Sequence, residues 1–146
     1  MKIARLVLAA ILALGTATAA LADNVRVVLK GYDPVAYFTE GKPTKGEAKH
    51  AYDWDDGRYY FANARHRAMF AADPEKYAPQ FGGYCTGSMS RGVRREGDPE
   101  GWTIKDGRLY VFGEAKWKPI AESDPQFIPS RLENAKKNWQ EKKRGS

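Results

Sequence analysis

The sequence predicts an α+β fold in which a small antiparallel sheet of hairpins is joined by short helices and closed by a C-terminal amphipathic helix. Three observations carry this. Two Asp-Gly turns stand between runs of strand formers, Asn63 and Asp73-Pro74 have the chemistry of helix starts, and residues 130–143 repeat their apolar positions at helical spacing. Strands in pairs with helices between and after them read as α+β.

Residues 25–29 are β-branched or apolar around Arg26, which suits a short strand or extended lead-in. Gly31-Tyr32-Asp33-Pro34 punctuates the chain, Val35-Ala36-Tyr37-Phe38 is the next apolar run, and residues 41–46 read as an exposed loop. The first hairpin joins residues 50–54 to residues 58–61 through Asp55-Asp56-Gly57. The second joins residues 102–104 to residues 109–112 through Asp106-Gly107. Together they predict one sheet with aromatic strands.

Asn63 caps a predicted helix reaching Ala72, on which His66 and Phe70 share a face because they are four residues apart. Asp73 followed by Pro74 starts a second short helix ending near Tyr77. Pro79, Gly82 and Gly83 force irregular backbone before Tyr84-Cys85. Ser130 and Glu133 have capping-box spacing, and Leu132, Ala135 and Trp139 give the last helix its docking face. No internal repeat is expected, and no linker divides residues 23–146.

The first 22 residues read as an export signal. Lys2 and Arg5 precede an apolar run, and Ala20-Leu21-Ala22 fits a small-x-small cleavage site, so processing near Ala22 into a periplasmic or secreted form is expected. The run falls short of the ~20 apolar residues of a membrane span, so no transmembrane span is expected in the mature form. Losing Lys2 and Arg5 takes two charges from a formal net charge of +6. Much of the remaining excess lies at Lys136, Lys137, Lys142, Lys143 and Arg144, which read as a solvated helix face; nucleic acid is not an expected partner.

One cysteine, Cys85, is present in a chain with this export signature. It cannot form an intramolecular disulfide, so it is buried, ligated, reactive or paired with a second chain.

Four strings occur in order: Tyr32-Asp33-Pro34-Val35-Ala36-Tyr37-Phe38, Tyr59-Tyr60-Phe61, Asp73-Pro74-Glu75-Lys76-Tyr77 and Gly82-Gly83-Tyr84-Cys85. Across residues 31–112 the chain resembles the YHS domain family, in particular its exported bacterial stand-alone members. The resemblance implies a small metal-sensing or metal-handling module. In the metal-binding relatives the pattern is Asp-Pro-Val-Cys, then Tyr-Phe-Cys-Ser with a second cysteine at the fourth position after the first. Carried over position by position, those cysteines fall on Ala36, Ala62 and His66, so the thiolate site of such relatives is not expected here.

Three classes of hypothesis follow: a metal site, thiol chemistry and a binding module. Cys85 and Met89 fall one turn apart if the segment after Gly83 is helical, and His66 adds an imidazole, a sulfur and nitrogen set that favours copper, above all Cu(I). Against it stand plain packing roles: Met89 as core filler, Cys85 as a small buried hydrophobe, His66 as a polar helix residue; His50 is a spare ligand. An enzyme would use Cys85 as nucleophile and His66 as base, oriented by Asp33 or Asp73. A redox sensor would place Arg65, Arg67 or Arg91 near the thiol and form a covalent homodimer on oxidation. The third is a binding module, since four tryptophans and eight tyrosines supply surface for a small-molecule or protein partner, with a groove near Tyr84 and Cys85 as the first place to look. The sequence favours an exported metal- or ligand-binding accessory protein over an enzyme, with copper the preferred metal; the alternative is a non-catalytic partner-binding or structural module lacking a metal site.

Overall fold

A computed structural model describes residues 24–146; the expected export signal and its cleavage site lie outside the described residues. The elements are β1 (Arg26–Val27), α1 (Ala36–Thr39), β2 (Glu47–Trp54), β3 (Gly57–Phe61), α2 (Ala64–Ala72), α3 (Pro74–Tyr77), α4 (Thr86–Ser90), β4 (Asp98–Lys105), β5 (Arg108–Phe112), α5 (Trp117–Ser123) and α6 (Pro129–Arg144). The fold is α+β, as the sequence predicts. The two hairpins do not share one sheet, however: β1-β3-β2 forms a three-stranded sheet and β4-β5 a separate pair. The lead-in strand is only two residues long and pairs parallel with β3, placing Arg26 opposite Gly57.

The two hairpins belong to two copies of one chain path, which corrects the expectation of no internal repeat. In the first copy the left-handed stretch Leu29, Lys30, Gly31 is followed by extended Tyr32; in the second, Phe81, Gly82, Gly83 is followed by extended Tyr84. Gly46 N–H donates to Gly31 O, and Gly97 N–H donates to Gly83 O. Asp33 N–H reaches Thr44 O, and Cys85 N–H reaches Arg95 O. A short helix and then a hairpin follow in each. Asp53 opposes Arg58 across the first hairpin where Ile104 opposes Leu109 across the second, and both hairpins carry a register irregularity at the same place.

Three consecutive left-handed residues cost about 1–2 kcal/mol for each that is not glycine. Leu29 and Phe81 bear that cost because both side chains are buried. At Gly83, with φ +79°, a Cβ would stand 2.9 Å from Val28, so only glycine permits the two copies to approach there.

Helix starts follow their local chemistry. Asn63 Oδ1 accepts from His66 N–H at the head of α2, and Asp73 Oδ1 accepts from Lys76 N–H at the head of α3. The expected capping box of α6 does not form: the helix begins at Pro129, and Ser130 Oγ donates back to Phe127 O. Its apolar face docks as expected, with Ala135 buried and Leu132 and Trp139 against the core.

Two apolar clusters hold the fold. One gathers Phe61, Phe70, Tyr37 and Tyr59 of the first copy with Trp102, Leu109 and Val111 of the second. The other joins Phe81, Met89, Tyr110 and Phe112 to Phe127, Ile128 and α6. The first cluster crosses the boundary, and Tyr37 strengthens it by donating its hydroxyl to Pro99 O at 2.9 Å and meeting Trp102 edge-on at 5.0 Å between centroids.

Candidate functional site

Two places carry chemistry, a buried polar hub in the first copy and a cleft between the copies.

The hub is built on Asp33, whose side chain is fully buried. Its Oδ1 accepts from Val35 N–H at 2.8 Å and Ala36 N–H at 3.3 Å; its Oδ2 accepts from Ala62 N–H at 2.9 Å. His66 Nδ1 lies 2.6 Å from the same Oδ2. With three backbone donors aimed at it, the carboxylate is an acceptor, so Nδ1 is the donor. The Nε2 of His66 faces Thr39 Oγ1 at 3.4 Å. One carboxylate thus ties the start of α1, the end of β3 and α2 together. The residues reaching it include Ala36, Ala62 and His66, the three positions onto which the family pattern's cysteines fall.

The residues of the expected copper set are distributed as follows. His66 turns both ring nitrogens to Asp33 and Thr39. Cys85 immediately precedes α4, its carbonyl accepting from Met89 N–H at 2.9 Å, so the expected one-turn relation of Cys85 and Met89 exists in the backbone. Met89 is fully buried among Phe81, Phe112 and Ile128, while Cys85 is 7% exposed. Among the described residues no group of three or more His, Cys, Asp and Glu side chains is arranged to hold a metal ion. Of the two orienting acids weighed for His66, the structure uses Asp33; Asp73 is occupied as a helix cap.

The cleft encloses about 720 Å³ and receives residues from both copies and from α6. Its aromatic wall is Trp54, Tyr59, Phe81, Tyr84, Tyr110 and Trp139. Tyr59 and Tyr110 occupy the same place in β3 and β5, each two residues before the last strand residue. The two residues are 2% and 5% exposed, and their hydroxyls, which have no protein hydrogen-bond partner among the described residues, are open to solvent. Burial pushes both phenols above the usual tyrosine range; Arg26 moderates this at Tyr59 and Arg108 at Tyr110.

Arg26 spans the floor of the cleft. Its Nε and Nη2 reach Glu96 at 2.5 and 2.7 Å, its Nη1 donates to Gly82 O at 2.7 Å, and its guanidinium lies 3.9 Å from the centre of the Tyr84 ring. Arg94 lies 5.9 Å from the rings of Tyr84 and Trp139. Tyr84, expected to line a groove, does so; Cys85 points its chain into α4 and is not part of the wall. Tyr59, Tyr110 and Arg26 were not singled out by sequence. The signal available was the recurrence of tyrosine at the same distance before Phe61 and Phe112.

Comparison of the chain with family models, curated proteins and solved structures finds no match. Among the described residues no helix is long and apolar enough to cross a membrane.

Proposed function

We propose that this chain is an exported, YHS-like, non-catalytic accessory module that binds a small ligand in the cleft between its two copies. The observation that carries the reading is the pair Tyr59 and Tyr110, which line the cleft from equivalent strands and whose hydroxyls have no protein partner among the described residues. A ligand that takes both hydroxyls exchanges their water for direct hydrogen bonds worth about 0.5–1.5 kcal/mol each. The aromatic wall supplies apolar area around these two polar points, the usual composition of a small-molecule site.

The hub supports the YHS-like part of the reading. Ala36, Ala62 and His66 converge on one point, as ligand positions would, and Asp33 fills that point with a carboxylate. Asp33 and His66 then do by hydrogen bonding what a metal would do by ligation: they fasten three chain segments to one another. This favours the ligand half of the metal-or-ligand expectation.

The test is a fragment screen read by the indole N–H signals of Trp54 and Trp139 in NMR spectra. Ligands that shift both should lose about tenfold in affinity in the double variant Tyr59→Phe, Tyr110→Phe, the loss of two hydrogen bonds of modest strength. A parallel titration with Cu(I) discriminates the metal hypothesis. Binding tighter than micromolar that disappears in Cys85→Ala and His66→Ala would replace the cleft reading with a copper site.

A further inference from the structure

Resting on the cleft reading above, we propose that the ligand is a carbohydrate: a neutral, ring-shaped, polyhydroxylated compound that stacks on the cleft's tryptophans and bonds its hydroxyls to both copies. The first argument is charge. Arg26 is neutralised by Glu96 and Asp55 by Lys143 at 2.5 Å. Among the described residues the cleft side chains without an ion-pair partner are Arg94, Arg108 and Lys136 on one side of the balance and Asp56 and Glu75 on the other. Both signs line one cleft, so neither a polyanion nor a polycation is attracted along its length. A neutral ligand meets no such penalty.

The second argument is hydrogen-bonding type. A sugar hydroxyl donates once and accepts twice, so it is matched by a wall that offers both donors and acceptors. The guanidinium groups of Arg94 and Arg108 and the ammonium of Lys136 donate, the carboxylates of Asp56 and Glu75 accept, and the hydroxyls of Tyr59 and Tyr110 do either. A purely aromatic ligand would make use of none of these groups. An anion would leave the carboxylates opposed.

The third argument is shape. Trp54 and Trp139 are half-buried and both line the cleft, so part of each indole is open to it. The C–H face of a pyranose is apolar and packs against the electron-rich face of an aromatic ring, while its equatorial hydroxyls project sideways to the polar groups. About 720 Å³ accommodates more than one such ring.

The experiment is calorimetric titration of the full chain with two neutral probes, cellohexaose and chitohexaose, and one anionic probe, a galacturonate hexamer. Indole signals of Trp54 and Trp139 are followed in parallel. We expect at least one neutral probe to bind and shift both indoles, with an affinity changed less than about twofold by raising salt from about 0.05 to 0.5 M. The Tyr59→Phe, Tyr110→Phe variant should bind about tenfold more weakly. Arg94→Gln, an exposed substitution that leaves the core untouched, should weaken the same probe about threefold to tenfold and so covers the case in which the double variant folds poorly. Tighter, salt-sensitive binding of the galacturonate with the same indole shifts overturns the carbohydrate-neutral class and leaves the cleft reading standing. Silence of both indoles towards all three probes and towards the fragment screen overturns both.

Discussion

The two copies of the chain path share their backbone hydrogen bonds and differ in what they place at the centre. In the first copy the residue after the extended tyrosine is Asp33, and its carboxylate is met by His66 of α2. In the second the corresponding residue is Cys85, and Trp117 of α5 stands where His66 stands in α2. Phe70, which packs against Tyr52, Trp54, Tyr59 and Phe61, has Ala121 as its counterpart. The second copy makes good that lost volume through Phe127 and Ile128, which follow its Asp124-Pro125, and through α6, which alone has no counterpart in the first. One backbone pattern therefore tolerates a polar hub or an apolar one, provided that each is completed by its own neighbours.

Exchanging the centres is the strongest way to break this comparison. Asp33→Cys leaves three backbone N–H groups and His66 without their acceptor in a fully buried place, and should cost about 4 kcal/mol in equilibrium unfolding by denaturant. Phe70→Ala imposes on the first copy the small residue of the second without the helix that fills around it. A loss of about 3 kcal/mol is expected, measured the same way. The reverse exchange, Cys85→Asp, puts a carboxylate where no histidine waits, and should cost about 2 kcal/mol. A neutral result for Asp33→Cys would mean that the hub contributes nothing to holding the first copy.

How much of this was legible follows the same division. The starts of α2 and α3 were readable because a cap is a local event: Asn63 and Asp73 sit within three residues of the N–H groups they accept from. The start of α6 misled because Ser130 and Glu133 have the right spacing one residue too far along, after Pro129 has already opened the helix. The duplication stayed hidden because few positions keep their residue, among them Gly31 and Gly83, Tyr32 and Tyr84, Gly46 and Gly97, Asp55 and Asp106, Tyr59 and Tyr110, Phe61 and Phe112, and Asp73-Pro74 and Asp124-Pro125. Most others changed while the backbone bonds they leave untouched were preserved. The pairing of His66 with Asp33 spans the first hairpin, and no local spacing encodes it. Sequence offered Asp33 and Asp73 equally, and only the return of α2 against the Asp-Pro loop decides between them.

Alkaline titration separates the copies by a different property. Burial raises the phenols of Tyr37 and Tyr59 well above the usual tyrosine range, with Glu100 adding to the shift at Tyr37 and Arg26 opposing it at Tyr59; Tyr110 is raised as well. A group whose folded pKa is raised contributes stability that is whole below its unfolded value and declines as pH rises past it. Unfolding midpoints should therefore fall steadily above about pH 10, where tyrosines of the unfolded chain ionise. In Tyr37→Phe the decline should be shallower, though the variant also loses the hydroxyl's bond to Pro99 O.

The smallest expected effect lies at the matching cross-strand pairs of the two hairpins. Asp53 and Arg58 face each other in the first with Nε to Oδ1 at 2.7 Å, and Ile104 and Leu109 do so in the second. The hydrogen bond from Arg58 holds the Asp53 carboxyl below its ordinary range, so its contribution is present at neutral pH and is lost as pH falls through the folded value. Asp53 is exposed, and an exposed pair of this kind is worth about 0–1 kcal/mol and weakens with salt. Asp53→Asn should accordingly change the unfolding free energy by less than about 0.5 kcal/mol. Ile104→Ala, at the matching position, should cost about 1–2 kcal/mol because it removes apolar area packed on the shared cluster. The inequality is the informative quantity. If Asp53→Asn proved the more costly, the first hairpin would depend on its surface charges, and the equivalence of the two strand pairs would hold for the backbone alone.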